Sequence, residues 1–272
     1  MIDMKKIGFA ASLLLSCTAV IAQDKTVIAQ VSDTQFGFWN DENIEYEVGT
    51  YSRCITELNR LKPDAVVLTG DLINHTWVEK QWEALEEITG RLDKDIPVFY
   101  IPGNHDVNLR GGKLDMKDYY KHMDYARFAE VVGSTYLIGI DSNPIKDCYG
   151  SEEEEEQFRW LEKMLKKNRK HRSIIVFTHH PFFLEDFDEE EGYFQLSKEA
   201  RRKYFDLFEK YGVKGVFSGH LHQNRVTSYK GKMPVVTTSA IGVQLGEDQS
   251  GYRIITVGKG KLTHEYVNVG KN

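Results

Sequence analysis

Five short apolar stretches of this chain each break off into aspartate, asparagine or histidine, and that recurrence constrains the fold most. "TVIAQVSD" runs into Asp33, "DAVVLTGD" into Gly70 and Asp71, and "IPVFYIPGNHD" into Gly103, Asn104, His105 and Asp106. Later, "SIIVFTHHP" ends in His179 and His180, and "VKGVFSGHLH" in Gly219, His220 and His222. Short runs rich in valine and isoleucine, bounded by turn residues, read as buried strands. Between them lie segments of helical period, around 46–61, 77–92, 119–131, 152–168 and 197–211. In the 152–168 segment Phe158, Leu161 and Leu165 share one face. The run Glu152–Glu156 reads as a solvated first turn, where negative charge also suits the helix dipole.

Strands alternating with helices predict one α/β domain containing at least one mixed sheet. From residue 225 the pattern is all strand, with "KG" at 230–231 and "GKGK" at 258–261 as hairpin turns. Residues 107–118 read as irregular, and the acidic loop 185–194 is expected on the surface near whatever follows "THHP". In open α/β sheets, ligands gather outside the carboxyl ends of the strands. Five such ends carrying Asp, Asn and His therefore predict one shared crevice. Glycines 70, 103 and 219 let the backbone turn beside the polar groups.

Oxygen and imidazole donors without a thiolate suit zinc, manganese or iron better than calcium or magnesium, which prefer oxygen alone. There are donors enough for two ions sharing a carboxylate. A pair of ions about 3.5–4 Å apart clamps both ends of an in-line displacement at phosphorus.

In order and position, "GD…GNHD…HHP…GHLH" resembles the calcineurin-like metallophosphoesterase superfamily, over about residues 26 to 257. The resemblance implies a four-layer αββα sandwich with two mixed β-sheets. It makes Asp71 the carboxylate shared by two divalent ions. Asn104, His179 and His220 would complete one ion, and Asp33 and His222 the other. His179 is chosen over His180 because the family ligand stands two residues before the proline, here Pro181. Asn104 and His105 would meet the phosphate, with His105 as general acid or electrostatic stabiliser, oriented by Asp106. A hydroxide held by the ions would attack phosphorus.

One position departs from that pattern. Where the family has Asp-x-His, this chain has Asp33, Thr34 and Gln35. A glutamine oxygen ligates more weakly than imidazole, so the first ion would be looser, or a harder one such as manganese or magnesium. "DTQFG" is similar to the "DPQFG" of a branch that includes a mammalian protein serine/threonine phosphatase. Two other readings stand beside an ester hydrolase: a non-catalytic metal- or phosphate-binding protein on the same fold, and a nuclease or nucleotide pyrophosphatase.

Residues 1–22 pair two lysines with an apolar run and a small-residue exit at Ala22, the pattern of a bacterial secretory signal. The expected product is an exported, periplasmic or extracellular monomer beginning at residue 23. The alternative is an outer-membrane lipoprotein anchored at Cys17 in "LLSC". Without residues 1–22 the chain holds 33 basic and 40 acidic residues, a net charge of −7, which disfavours nucleic-acid polymers as partners. A small phosphate ester or a phosphoprotein is the expected substrate, and no transmembrane segment is expected in the mature chain. Cys54 and Cys148 are read as separate buried thiols.

Several residues carry blander readings. His75 reads as a loop histidine, and His122, His171 and His264 as surface or structural. Asp141 and Ser142 read as core hydrogen-bonding groups. Phe36, Phe38 and Trp39 read as packing, with a stacking wall at Trp39 as the alternative. The glycines of "SAIGVQLG" fit turn geometry or a backbone approach to the pocket.

Overall fold

The computed structural model describes residues 25–168 and 173–270. The expected secretory signal, Cys17 and His171 lie outside these described residues. In chain order the first half contains β1 (Lys25–Val31), α1 (Glu45–Leu61), β2 (Ala65–Thr69), α2 (Glu79–Thr89) and β3 (Val98–Ile101). Next come β4 (Asn108–Arg110), β5 (Lys113–Asp115), α3 (Tyr119–His122), β6 (Phe128–Val132), β7 (Thr135–Gly139) and α4 (Asn143–Asp147). The second half runs α5 (Glu152–Asn168), β8 (Ser173–Phe177), α6 (Lys198–Tyr211), β9 (Val213–Ser218), β10 (Arg225–Tyr229), β11 (Met233–Thr237), β12 (Gly251–Gly258) and β13 (Lys261–Asn268).

Two mixed sheets carry the architecture, ordered β13-β12-β1-β2-β3 and β10-β11-β9-β8-β7-β6. The strands that carry the polar motifs run parallel within each sheet, β1 with β2 with β3 and β8 with β9. Their carboxyl ends therefore emerge on one side. Strand alternation builds the layers. Ile28 in β1 and Val67 in β2 face Phe177, Phe217 and Val236 of the other sheet. Their neighbours Ala29, Val31, Val66 and Leu68 face outward onto Tyr51, Cys54, Ile55 and Leu58 of α1 and Trp82 and Leu85 of α2. On the far side, Ile138, Ile174 and Val176 pack against Leu161 and Leu165 of α5 and Tyr204, Phe205 and Phe208 of α6. The result is a four-layer αββα sandwich. Each fully buried phenylalanine of the middle layer contributes roughly 2–3 kcal/mol by leaving water.

Local signals set the element ends. In α6 the Ser197 side chain accepts from the Ala200 N–H, and Gly212 closes the helix at φ 71°. Lys259 and Gly260 both have positive φ, the twist-matched geometry of a two-residue hairpin, and Lys230 and Gly231 also have positive φ in the three-residue loop between Tyr229 and Met233. The expected 119–131 helix is corrected: α3 lasts four residues, and Phe128–Val132 is a strand paired antiparallel with β7. Phe128 reaches the middle layer there, stacking on Phe99, a long-range contact that local periodicity does not register. The irregular 107–118 stretch contains the small β4–β5 hairpin. Both cysteines are unpaired, Cys54 buried and Cys148 half-buried rather than buried.

Candidate metal centre

The five motif loops meet at the seam between the sheets. Asp33, Asp71, Asn104 and His105 come from the ends of β1, β2 and β3; His179, His180, His220 and His222 come from the ends of β8 and β9. Backbone bonds lock the loops together: the Asp33 N–H donates to the Gly70 carbonyl at 3.1 Å, and the Gln35 N–H to that of Asp71 at 2.8 Å. Across the seam the His220 N–H donates to the Asp33 carboxylate at 3.1 Å. Gln30, beneath the centre on β1, donates to the Ser218 carbonyl of the other sheet at 3.0 Å and accepts from Thr238 at 2.7 Å.

Eight non-glycine residues among those described have positive φ, and five are Asp33, Gln35, Asp71, His220 and His222. Left-handed backbone costs such residues about 1–3 kcal/mol each and persists where the surroundings over-determine it. The other three, Lys62, Lys230 and Lys259, sit at a helix end and two hairpin turns. Close approach also requires glycine here. A Cβ on Gly103 would stand 2.2 Å from an Asp71 carboxylate oxygen, and one on Gly219 would overlap the Ser32 hydroxyl.

Hydrogen bonds fix the imidazole tautomers. His179 Nδ1 donates to the Thr69 carbonyl at 2.8 Å and His222 Nδ1 to that of Val243 at 2.6 Å. The Nε2 atoms are thus turned inward: His222 Nε2 lies 3.4 Å from Asp33 Oδ1, and His179 Nε2 lies 3.3 Å from Asp71 Oδ2. His179 Nε2 is also 3.1 Å from Asn104 Oδ1 and 3.2 Å from His220 Nδ1. Two donor groups result, Asp33 with Asp71 and His222, and His179 with His180 and His220, each within 4.8 Å internally. Asp71 touches both. His180 is held by Ser142, with Nδ1 at 2.9 Å from its hydroxyl.

Charge follows from this crowding. Burial disfavours an imidazolium at His179, yet the Asp71 carboxylate pushes it up to about 9. His222 is likewise raised against its burial by Asp33. Burial, with the neighbouring His179 charge, brings His220 down to about 3. Burial also works against the charge on Asp71, but His179 and His105 hold its carboxyl well below the usual range. Among the residues of this centre, two buried polar atoms have no partner, Gln35 Oε1 and His220 Nε2. Inward-turned nitrogens facing carboxylates, with an orphaned amide oxygen beside them, are the donor set that divalent cations fit.

The environment of His105 differs from expectation. Its Nδ1 meets the Asn74 carbonyl at 3.0 Å, and its backbone N–H donates to Asp71 Oδ1 at 2.8 Å. Asp106 does not orient it. That carboxylate is fully buried and accepts the Leu72, Ile73 and Gly103 N–H groups at 2.8, 3.1 and 2.7 Å. Burial and the Asp71 charge raise its pKa against these bonds. Asp106 staples two loops together, and this corrects the expectation that it orients His105. Asn74 was missed: its side chain also accepts from Gln35 Nε2 at 3.1 Å, and only its place three residues after Asp71 hints at this.

Aromatic rings surround the centre. Phe38 lies 5.4 Å from His222, and Tyr193 and Phe194 lie 5.7 and 5.5 Å from His220. The acidic loop thus reaches the site, with Arg201 holding it through the Phe187 and Glu189 carbonyls and its flanks through those of Phe182 and Leu196. In the 239–246 segment Gly242 donates to the Asp33 carbonyl, so backbone does approach the pocket there.

Residues 26–224 match the family model of the calcineurin-like phosphoesterases. The bovine (Bos taurus) serine/threonine-protein phosphatase CPPED1 is 32% identical over 261 residues, covering 88% of this chain and 82% of that protein. A probable glycerophosphodiester phosphodiesterase, GpdQ of Arcobacter nitrofigilis, is 29% identical over 233 residues, covering 82% and 81%. Among solved structures, a dimetal phosphatase from Danio rerio superposes with a TM-score of 0.62 at 13% identity, covering 90% of this chain and 99% of that one.

Proposed function

Since the chain belongs to the calcineurin-like phosphoesterase family, and so is a metallophosphoesterase that hydrolyses phosphoric esters, we propose that it works with two divalent ions at the seam. The observation that carries the binuclear reading is Asp71, whose carboxylate touches both donor groups. Asp33 and His222 would hold one ion, with Gln35 Oε1 as a further oxygen ligand. Asn104, His179 and His220 would hold the other. The mixed oxygen and imidazole set favours manganese, zinc or iron, with magnesium also suited to the Gln35 side.

When bound, the ions supply Lewis acidity toward the phosphoryl oxygens and an activated water. The chain's own groups do the rest. Asn104, with its side-chain oxygen turned to His179, has its amide N–H groups left for the phosphate. His105 gives its Nδ1–H to the Asn74 carbonyl, so Nε2 is the atom that carries a proton to the leaving alkoxide.

The substrates we assign are small phosphate monoesters or phosphoproteins. The similarity to a protein named a phosphodiesterase supports diester cleavage as a second reading. Replacing Asp71 with Asn or His105 with Ala, with turnover of aryl monoesters and diesters followed under added Mn or Zn, tests the assignment. Loss of turnover in both variants is expected, with close to two ions per wild-type chain by elemental analysis; wild-type rates in either variant would refute it. We also propose export, supported by residues 1–22; the N-terminus of the mature protein distinguishes cleavage after Ala22 from lipidation at Cys17.

A further inference from the structure

The three most exposed large apolar side chains among the described residues are Trp39, Tyr193 and Trp77, at 75%, 71% and 69%. All three border the metal centre. Trp39 meets Phe38 edge-on at 4.7 Å, and Phe38 packs on His222. Trp77 stacks on His75 at 4.6 Å and 26°, and Asp41 fixes that imidazole at 2.7 Å. His75 adjoins Asn74, whose carbonyl holds His105. Tyr193 stands over His220 and leans on Phe194 at 5.1 Å. Each outer ring is therefore backed by an inner one, and each comes from a different motif loop.

Clustered exposed apolar surface marks recognition, and rigid rings present it at low entropic cost. Four carboxylates near the rings, those of Asp41, Glu189, Glu190 and Glu191, are already engaged. Asp41 binds His75 and Gln81. Glu189 accepts three backbone N–H groups, and Glu190 pairs with Lys198, whose N–H Glu191 accepts. The outer faces of the three rings remain open to a ligand.

Resting on the phosphoester reading above, we propose that Trp39, Trp77 and Tyr193 form a stacking rim that selects phosphoesters whose alcohol portion carries a planar ring. The rim holds that ring while the phosphate lies at the centre.

The test compares benzyl with cyclohexylmethyl compounds, which match in size and leaving-group basicity but differ in planarity. With the Mn-loaded protein, calorimetry measures binding of benzylphosphonate and cyclohexylmethylphosphonate, and assays measure kcat/KM for the corresponding phosphates. About tenfold preference for the planar compound is expected, the scale of one ring stacking, falling toward one in the Trp39→Ala/Trp77→Ala and Tyr193→Ala variants. Equal affinities in the wild type, or a preference that survives both variants, overturn the rim. Preference for choline phosphate over both also overturns it, in favour of a cation site. Planar preference in binding without turnover of any ester upholds the rim and overturns the hydrolase reading; turnover without preference does the reverse.

Discussion

The imidazole of His105 is held by the backbone carbonyl of Asn74, 3.0 Å from its Nδ1, while the neighbouring Asp106 carboxylate bonds only to backbone N–H groups. One motif thus splits into two jobs, the proton delivery proposed for His105 and the loop fastening done by Asp106. Asp106→Asn turns an amide N–H toward donors and is expected to destabilise the fold by about 2 kcal/mol. His105→Ala, at a half-exposed position, should leave the urea midpoint near wild type while turnover falls by about 10²–10⁴. Equal stability of the two variants would contradict the division.

Gln35 Oε1 is a buried acceptor without a partner. Filling that position with an imidazole should tighten the more weakly held ion in Gln35→His, and Gln35→Leu should loosen it by roughly tenfold. Calorimetric titration of metal-free protein with Mn reads both directions. Identical isotherms for all three proteins would place Gln35 outside the ligand shell.

Arg201 is buried and donates to the carbonyls of Phe182, Phe187, Glu189 and Leu196. Arg201→Met leaves those acceptors short of donors, at a cost of about 3 kcal/mol. Because the same loop carries Tyr193 and Phe194, KM should rise more than kcat falls. Arg201→Lys should rescue only part of the loss, since an ammonium cannot fork to separated carbonyls.

Burial pushes the Asp141 carboxyl up to about 7, against bonds from the Asn143 backbone and side chain. A carboxyl raised in the folded state binds its proton there more tightly than in the unfolded chain. Its contribution is full below about pH 4 and is lost as pH rises through 7. Asp141→Asn keeps an oxygen for Asn143 and removes the titration. The wild type, measured against this variant by urea unfolding, should therefore lose on the order of 2–4 kcal/mol between pH 4 and pH 8. A pH-independent difference would refute this.

Most of the architecture was legible because strand and helix periods differ and because the strand ends carry chemistry. α1, α5 and α6 lie within a residue or so of their expected bounds, and both lysine–glycine hairpins form. The 119–131 segment was not legible, since Phe128–Val132 becomes a strand through its partner β7 and the stack on Phe99, both outside any local window. The meeting of the motif residues followed from parallel strands sharing one end. Roles inside the motif did not follow: whether Asp106 or a carbonyl steadies His105 depends on a loop thirty-odd residues earlier in the chain. The contact of Tyr193 with His220 had no signal beyond an aromatic pair in an acidic loop.

The proposed ligand set is divided between two sheets, with Asp33 and Asp71 on one side of the seam, His179, His220 and His222 on the other, and Gln30 as a crossing bolt. Such a centre behaves as a vernier, reading the alignment of one sheet against the other. Emptying the middle layer, for example at Phe177 or Phe217, lets the sheets slip by fractions of an ångström that the fold absorbs and coordination does not. Metal affinity should then fail before the sandwich does, making the ions gauges of a packing layer they never touch.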